Sequence, residues 1–306
     1  MSKPFFSVII PTYNRSSLLN KAIKSVFKQN FNDYEIIIID SNSNDNTEEI
    51  IKSFDQEKII YKKIETIGNI AKSRNEGIKS SNGTWLAFLD SDDEWHENKL
   101  KKTHLVIQNN NIHTVCTNMW IIEQDSKKKQ IYRYGPYTDQ FYKSLLIFGN
   151  CISTSSSVVN KDFITKNNIN FNERQDFIST EDFDFFLNIA RKKGKFFFLD
   201  APLGNQFIHS MGVSTNLDKH YKALFSVLYE HVFKIQDFAQ NKEKLWSKVR
   251  ANYEFRFILQ KYKSGKIIGA DFYQLIRILI QNPKNIIIFT LKILKNKFLN
   301  IITNIK

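Results

Sequence analysis

Short apolar runs and helix-period segments alternate through the first hundred residues, and this alternation restricts the possible folds more than any other feature of the chain. Four apolar runs are rich in β-branched residues: 6–10, 35–39, 59–61 and 84–89. Three segments between them show helical periodicity: 17–29, 46–54 and 70–80. Strands that are apolar on both faces and alternate with helices predict a mainly parallel sheet covered by helices. The sequence therefore predicts an α/β fold.

Polar, turn-forming residues follow three of these predicted strands. The three segments begin at Pro11, Asp40 and Asp90. In open α/β sheets, ligands bind beyond the carboxyl ends of the strands. We therefore expect all three segments to line one ligand site.

Three carboxylates lie within four residues directly after the predicted strand at 84–89: Asp90, Asp92 and Asp93. Such groups repel one another unless a cation or several N–H donors lie among them. Oxygen ligands suit Mg²⁺ or Mn²⁺, which keep water ligands and bridge to substrate phosphates. The segment predicts either a metal site at Asp90 and Asp92 or an acidic turn that caps the next helix.

Asp40 and Arg74 are two further candidates, and each has an alternative structural role. Asp40 would accept a hydrogen bond from a nucleobase or a ribose hydroxyl, or it would cap the helix at 46–54. Residues 43–45 offer three other caps for that helix, which leaves Asp40 for a ligand. Arg74, in the helix at 70–80, would meet a phosphate, neutralise Asp40 or lie on the surface.

The pair Glu181-Asp182 precedes an amphipathic segment at 183–193. After Thr180, these acids would complete an N-cap and interact with the helix dipole. Alternatively, one of them would act as a general base. Local sequence favours the structural role. His209 follows an apolar strand, where a single histidine is usually structural.

The formal net charge of +13 is distributed unevenly. Residues 261–306 contain nine Lys or Arg and one acid, Asp271. Apolar residues recur at helical spacing over 287–305, with Lys and Asn on the opposite face. Such a basic amphipathic helix would lie in an anionic membrane interface or pack on the rest of the chain. Aromatic stacking platforms are not evident beside the lysines, so we expect no nucleic-acid partner.

Cysteine usage and hydropathy indicate the compartment. The chain has two cysteines, Cys116 and Cys151, without metal-binding spacing. We see no secretory signal, and no apolar stretch approaches the roughly 20 residues that span a bilayer. We therefore expect a reduced, cytoplasmic chain.

Five segments occur in an order and at intervals that resemble the family 2 glycosyltransferases: 7–15, 35–40, 71–77, 88–93 and 181–182. Each segment is a weak signal alone, but the five together span roughly the first two thirds of the chain. The resemblance implies the GT-A fold. Helix-period segments dominate beyond residue 218 and predict a helical appendage after that fold. It also implies an inverting transferase that uses a nucleotide-diphosphate sugar.

The resemblance implies a role for each candidate residue. Pro11, Thr12 and Asn14 would line the nucleoside pocket, with Asp40 and Ser41 near the base or ribose and Arg74 near the nucleotide. Asp90 and Asp92 would bind the diphosphate through Mn²⁺ or Mg²⁺, with His209 as a further metal contact. Asp182 would be the general base that deprotonates the acceptor hydroxyl.

Two positions depart from the family pattern. Ser41 stands where many members carry a second aspartate, which often contacts uracil. This position therefore gives less support to UDP as the nucleotide of the donor. Phe207 stands where many members carry an arginine two residues before the histidine that corresponds to His209.

We predict a GT-A catalytic domain over 1–215, with a nucleotide-binding half (1–110) and an acceptor half (111–215). Residues 216–306 would form the helical region with the basic tail. The expected acceptor is a glycan or lipid-linked glycan of the bacterial surface, reached from the inner face of the cytoplasmic membrane. Two alternatives are a sugar-nucleotide pyrophosphorylase and a non-catalytic peripheral membrane protein with a degenerate transferase core.

Overall fold

The computed structural model describes residues 3–66, 68–123, 128–208, 216–263, 265–284, 286–288 and 290–291. The chain divides into two units. The first contains 1–137 and 151–215, and the second contains 138–150 and 216–306. Residues 138–150, which the sequence analysis assigns to the acceptor half, thus group with the C-terminal helices. The functional division of the chain stays a prediction. His209 and most of the predicted tail helix lie outside the described residues.

Strands and helices alternate as the sequence predicts. In chain order, the elements up to the last strand are β1 (Phe6–Thr12), α1 (Ser16–Phe27), β2 (Tyr34–Asp40), α2 (Thr47–Lys52), β3 (Ile59–Lys63), α3 (Ile70–Ser80), β4 (Trp85–Phe88), β5 (Glu94–Trp95), α4 (Lys99–Asn109), β6 (Thr114–Glu123), β7 (Lys129–Tyr132), α5 (Phe141–Phe148), β8 (Ser157–Asn160), α6 (Lys161–Lys166), α7 (Glu181–Arg191) and β9 (Phe196–Ile208). All except α5 belong to the first unit.

The strands of the first unit form one mixed sheet in the order β3-β2-β1-β4-β8-β6-β9-β5, with β7 beside β6. β1 to β4 run parallel to one another, whereas β8 is antiparallel to both β4 and β6. Because β1 lies between β2 and β4, the carboxyl ends of all three meet at one edge. This edge is where ligands bind in open α/β sheets.

β1 and β2, in the parallel half of the sheet, are buried on both faces. Every residue of β1 is buried, and so are six of the seven residues of β2. The apolar stripe of α1 packs against this half through Leu19, Ala22, Ile23 and Val26. α3 approaches β1 so closely that a Cβ added at Gly77 would overlap the side chain of Ile9. The glycine is therefore needed for helix–sheet contact.

The second unit is helical. After α5 it contains α8 (Leu217–Glu230), a π-helical turn (His231–Ile235), α9 (Lys242–Lys263) and α10 (Gly269–Gln281). Side chains of α9 hydrogen-bond to the C-terminal carbonyls of α5: Asn252 Nδ2 to Ile147 O at 3.0 Å and Arg256 Nη2 to Phe148 O at 2.7 Å. In the part of the chain that the structure describes, no helix has the length and apolar character to cross a bilayer.

Candidate functional site

The loops after β1 and β2 are joined by hydrogen bonds. The backbone N–H of Asn14 donates to Ser43 Oγ at 2.8 Å, and the backbone N–H of Asn44 donates to Asn14 Oδ1 at 2.9 Å. Asn14 has φ of 49°, in the left-handed region that Asn tolerates better than most residues. The two loops therefore form one wall at the carboxyl edge of the sheet.

Thr12 and Ser41 lie at the base of this wall. The Ser41 amide donates to Thr12 O at 2.9 Å, and Ser41 Oγ lies 2.7 Å from Ser73 Oγ. Pro11 is buried within β1, opposite Ile39. Thr12 Oγ1 is buried and has no hydrogen-bond partner among the described residues. A buried hydroxyl without a partner costs about 1–3 kcal/mol, so this atom favours a ligand or water at the wall.

Asp40 is 1% exposed, and both of its carboxylate oxygens bond within the protein. Oδ1 accepts from the Ser43 amide at 2.8 Å, and Oδ2 accepts from the Tyr61 hydroxyl at 2.9 Å. Burial, then the bond to Asp40, raise the pKa of Tyr61, which keeps that hydroxyl a donor. Asp40 therefore holds the loop, and a ligand would have to use its remaining lone pairs.

Arg74 connects the two acidic motifs. Its Nη1 donates to Glu181 Oε1 at 2.7 Å, and its Nη2 donates to Asp90 Oδ1 at 2.8 Å. The guanidinium carbon lies 5.2 Å from the centre of the Phe171 ring. Arg74 is only 3% exposed, so it is not a surface arginine. Its ion pairs are with Asp90 and Glu181 and not with Asp40, the partner that the sequence also suggested.

Neighbouring groups offset the negative charge of the acidic segment after β4. Besides Arg74, Asp90 accepts from Thr154 Oγ1 at 2.9 Å, and its amide donates to Ser155 Oγ at 3.0 Å. Asp92 Oδ2 lies 2.6 Å from Arg15 Nη1. Burial, then the charges of Asp90 and Asp92, raise the pKa of Asp93 well above its usual value. Arg74 and Arg15 thus offset part of the repulsion among these acids that the sequence indicates.

The carboxylates of Asp90 and Asp92 suit a divalent cation that is shared with a phosphate ligand. Within the described ranges, no group of three His, Cys, Asp or Glu side chains is placed to hold a metal. Mg²⁺ and Mn²⁺ commonly need only one or two carboxylates when substrate phosphates supply further oxygens. The two side chains keep 23% and 19% of their surface exposed, which leaves them accessible to a cation.

Asp182 and Glu181 begin α7 but have different surroundings. Glu181 is buried against Arg74, and its Oε2 has no partner in the described part of the chain. Asp182 is half-buried. Burial, then the charge of Glu181, raise the pKa of Asp182 to about 7, although Arg74 opposes the shift. Thr180 does not cap the helix with its side chain, since Thr180 Oγ1 donates to Phe177 O.

The site also contains groups that sequence reasoning missed. Arg15, Thr154, Ser155 and Tyr61 all contact predicted site residues. Arg15 was visible as the end of the motif at 7–15, but nothing local indicated its partner. Thr154 and Ser155 gave no signal, because their contacts with Asp90 span more than sixty positions.

A model of glycosyl transferase family 2 matches residues 7–164, just over half of the chain. The chain belongs to this family. Its matched region contains every predicted site residue except Asp182 and His209.

Several glycosyltransferases are similar in sequence. The Escherichia coli UDP-Glc:alpha-D-GlcNAc-diphosphoundecaprenol beta-1,3-glucosyltransferase WfgD is 35% identical over 120 residues, 39% of this chain and 47% of that protein. The Campylobacter jejuni GalNAc(5)-diNAcBac-PP-undecaprenol beta-1,3-glucosyltransferase is 42% identical over 98 residues, 30% of each chain. The amylovoran biosynthesis glycosyltransferase AmsB of Erwinia amylovora is 29% identical over 211 residues, 65% of this chain and 68% of that protein. The chain thus matches less than half the length of the first two.

Solved structures share the fold. Staphylococcus aureus TarS in complex with UDP-GlcNAc has a TM-score of 0.66 at 20% identity, over 90% of this chain and 79% of that chain. The Pyrobaculum calidifontis mannosyltransferase PcManGT, in complex with GDP-Man and Mn²⁺, has a TM-score of 0.54 at 12% identity, over 95% and 84%. The protein therefore has the GT-A fold, which confirms the expectation from the sequence.

Proposed function

We propose that this family 2 protein is an inverting glycosyltransferase that moves a sugar from a nucleotide-diphosphate donor to an acceptor hydroxyl. The contact of Arg74 with both Asp90 and Glu181 is the observation that supports this proposal most strongly. It joins the candidate diphosphate site after β4 to the start of α7. This contact would hold Asp182 beside the donor site, as a general base requires.

In the proposed reaction, Asp182 takes the proton of the acceptor hydroxyl as that oxygen attacks the anomeric carbon. The bond between the anomeric carbon and the diphosphate breaks, and the diphosphate leaves with the electron pair. A base with a pKa near the working pH is well suited to this transfer. The pKa of about 7 at Asp182 meets that condition.

The other site residues would bind the donor. Thr12 would line the nucleoside pocket, beside Pro11 and Asn14 on the wall that Asp40 and Ser41 organise. Asp90 and Asp92 would hold Mn²⁺ or Mg²⁺, which when bound neutralises charge on the diphosphate. Arg74 lies close enough to Asp90 to add positive charge at the same place.

The acceptor we propose is a lipid-linked or polymeric glycan of the bacterial surface. Two similar glycosyltransferases are named for acceptors on undecaprenol diphosphate. Family membership and the complete set of Asp90, Asp92 and Asp182 disfavour a pyrophosphorylase and a degenerate core. We propose a UDP-sugar as the first donor to test, because the structurally similar TarS binds UDP-GlcNAc.

An anionic membrane surface is the further partner that we propose. The outer face of α10 exposes Phe272, Ile276 and Ile280 at helical spacing, between 52% and 73% exposed. The acid of this helix, Asp271, is buried and paired with Lys261 at 3.1 Å. Exposed Arg277 and Lys284 leave the described part of this region positive at its surface. A second copy would bring the same charges, whereas anionic lipid would complement them.

The experiment that tests the transferase compares wild type, Asp182→Asn and Asp162→Asn. Asp162 is the matched control, because it is an exposed acid at the same helical position in α6. We expect Asp182→Asn to lower transfer from UDP-, GDP- or dTDP-sugars by roughly 10²–10⁴-fold with Mn²⁺ present. Donor affinity, measured by calorimetry, should stay nearly unchanged in both variants. Retained transfer in Asp182→Asn would remove Asp182 as the base, and lost donor binding would make it a structural residue.

A further inference from the structure

Arg15 forms an ion pair with Asp92 and has no role in the function proposed above. Its Nη1 lies 2.6 Å from Asp92 Oδ2, although the two residues are 77 positions apart. Arg15 and Asp92 keep 32% and 19% of their side-chain surface exposed. The pair therefore lies at the surface of the candidate donor site, within reach of a ligand.

The backbone on both sides of Arg15 is tied to the neighbouring loop. Asn14 donates its amide to Ser43, and the Ser16 amide donates to Asp45 Oδ2 at 2.9 Å. α1 begins directly at Ser16. The fold thus presents the Arg15 side chain from a defined position toward the loop after β4.

A divalent cation that binds Asp92 would repel the Arg15 guanidinium, which lies 2.6 Å from the same carboxylate. Cation binding should therefore weaken or replace the contact between Arg15 and Asp92. A guanidinium that loses its carboxylate is well suited to a diphosphate, which it binds through paired hydrogen bonds. When the cation and the donor bind together, the cation would neutralise the Asp92 carboxylate and the diphosphate would neutralise the Arg15 guanidinium.

We propose that Arg15 is the resident counter-ion of Asp92 in the donor-free protein and that it exchanges this carboxylate for the donor diphosphate when a divalent cation binds. This inference rests on the proposed function for the identity of the donor. It assigns Arg15 as a positioning residue in the free protein and as a diphosphate contact in the complex.

The test measures Mn²⁺ binding to the full chain by electron paramagnetic resonance, first without nucleotide and then with UDP. Arg15→Gln should bind Mn²⁺ about two- to fivefold more tightly than wild type without nucleotide, as expected for loss of a partly exposed ion pair. In the presence of Mn²⁺, the same variant should bind UDP more weakly. Lys52→Gln is the control, since it removes one positive charge from another 2.6 Å ion pair, with Glu48.

Equal Mn²⁺ affinities of Arg15→Gln and wild type would overturn the counter-ion role. Unchanged UDP affinity in Arg15→Gln would overturn the exchange. These readouts do not require transfer, so a protein that transfers no sugar but shows the Mn²⁺ difference would contradict the proposed function and leave the role of Arg15 supported. If Lys52→Gln changed the Mn²⁺ and UDP affinities as much as Arg15→Gln does, the loss of one positive charge would explain the result, and the proposal would be overturned.

Discussion

Glu181 and Asp182 are adjacent in sequence but have different surroundings. Glu181 forms an ion pair with Arg74 at 2.7 Å. Asp182 lies close enough to interact electrostatically with both Glu181 and Arg74. The ionised form of Asp182 is disfavoured by burial and by Glu181, so its proton is held to a higher pH. A mechanism that needs a base with a pKa near neutrality can use the raised pKa of Asp182 directly.

The rate of transfer should therefore depend on pH through Asp182. Below a pH of about 7 the carboxylate is protonated and cannot accept the acceptor proton. We expect kcat/KM to fall about tenfold per pH unit well below that value and to level off above it. Measurement of kcat/KM between pH 5 and 9 checks this, with donor affinity followed in parallel. A flat profile below pH 7 would contradict the assignment.

Removal of Arg74 should cost far more stability than removal of a surface arginine. Arg74→Met leaves the buried Glu181 without its partner, which we expect to lower the free energy of unfolding by about 3–5 kcal/mol. Arg191→Met, at the exposed last residue of α7, should change it by less than about 0.5 kcal/mol. Urea unfolding measures both.

The double variant Arg74→Met with Glu181→Gln separates pairing from packing. Because the two side chains are in contact, their effects should not add. We expect the double variant to lose less stability than the sum of the two single variants. Additive losses would show that the ion pair contributes little.

At the scale of elements, the site depends on how closely α3 lies against the sheet. Arg74 and Gly77 occupy the same helix, so the contact of Gly77 with Ile9 determines the distance from which Arg74 reaches Asp90 and Glu181. β1 provides the wall of the site and also the surface on which this helix packs.

Gly77→Ala should therefore destabilise the protein, although alanine favours helices. The added methyl overlaps Ile9, and overpacking of this kind costs about 1–3 kcal/mol. Gly269→Ala is the control, because among the described residues no atom beyond its chain neighbours and its own helix backbone lies within 4 Å of the added Cβ, and that variant should be nearly neutral. Thermal unfolding of the two variants and wild type checks the prediction, and equal melting temperatures would refute it.

At the scale of the whole molecule, charge and apolar surface coincide in the C-terminal region. Residues 261–306 carry nine positive residues against Asp271 alone. The described part of this region adds the apolar face of α10. Exposed apolar patches with a positive rim are typical of surfaces that bind anionic membranes.

Vesicle sedimentation tests the membrane surface. Wild type should bind phosphatidylglycerol vesicles better than phosphatidylcholine vesicles, and high salt should weaken the binding. A variant with Phe272→Ser, Ile276→Ser and Ile280→Ser should lose at least about tenfold in affinity, because three apolar side chains no longer enter the interface. Leu105→Ser, at an exposed apolar residue of α4, is the control. Unchanged binding of the triple variant would exclude α10 as the contact.

The sequence by itself determined the parallel half of the sheet, because apolar periodicity in β1, β2, α1 and α3 is a local property. It also located the candidate site, because ligands of such sheets bind after the strand ends. The assignment of Asp182 as base came from the family resemblance and stays a prediction.

Tertiary structure alone decided which charges meet. Arg74 and Glu181 are 107 positions apart, and Arg15 and Asp92 are 77 apart, so no local pattern could pair them. The same holds for the pKa of Asp182, which depends on burial and on charges from two helices and a strand end. Spacing along a chain sets periodicity, but electrostatic interactions depend on distance in space, which the fold creates.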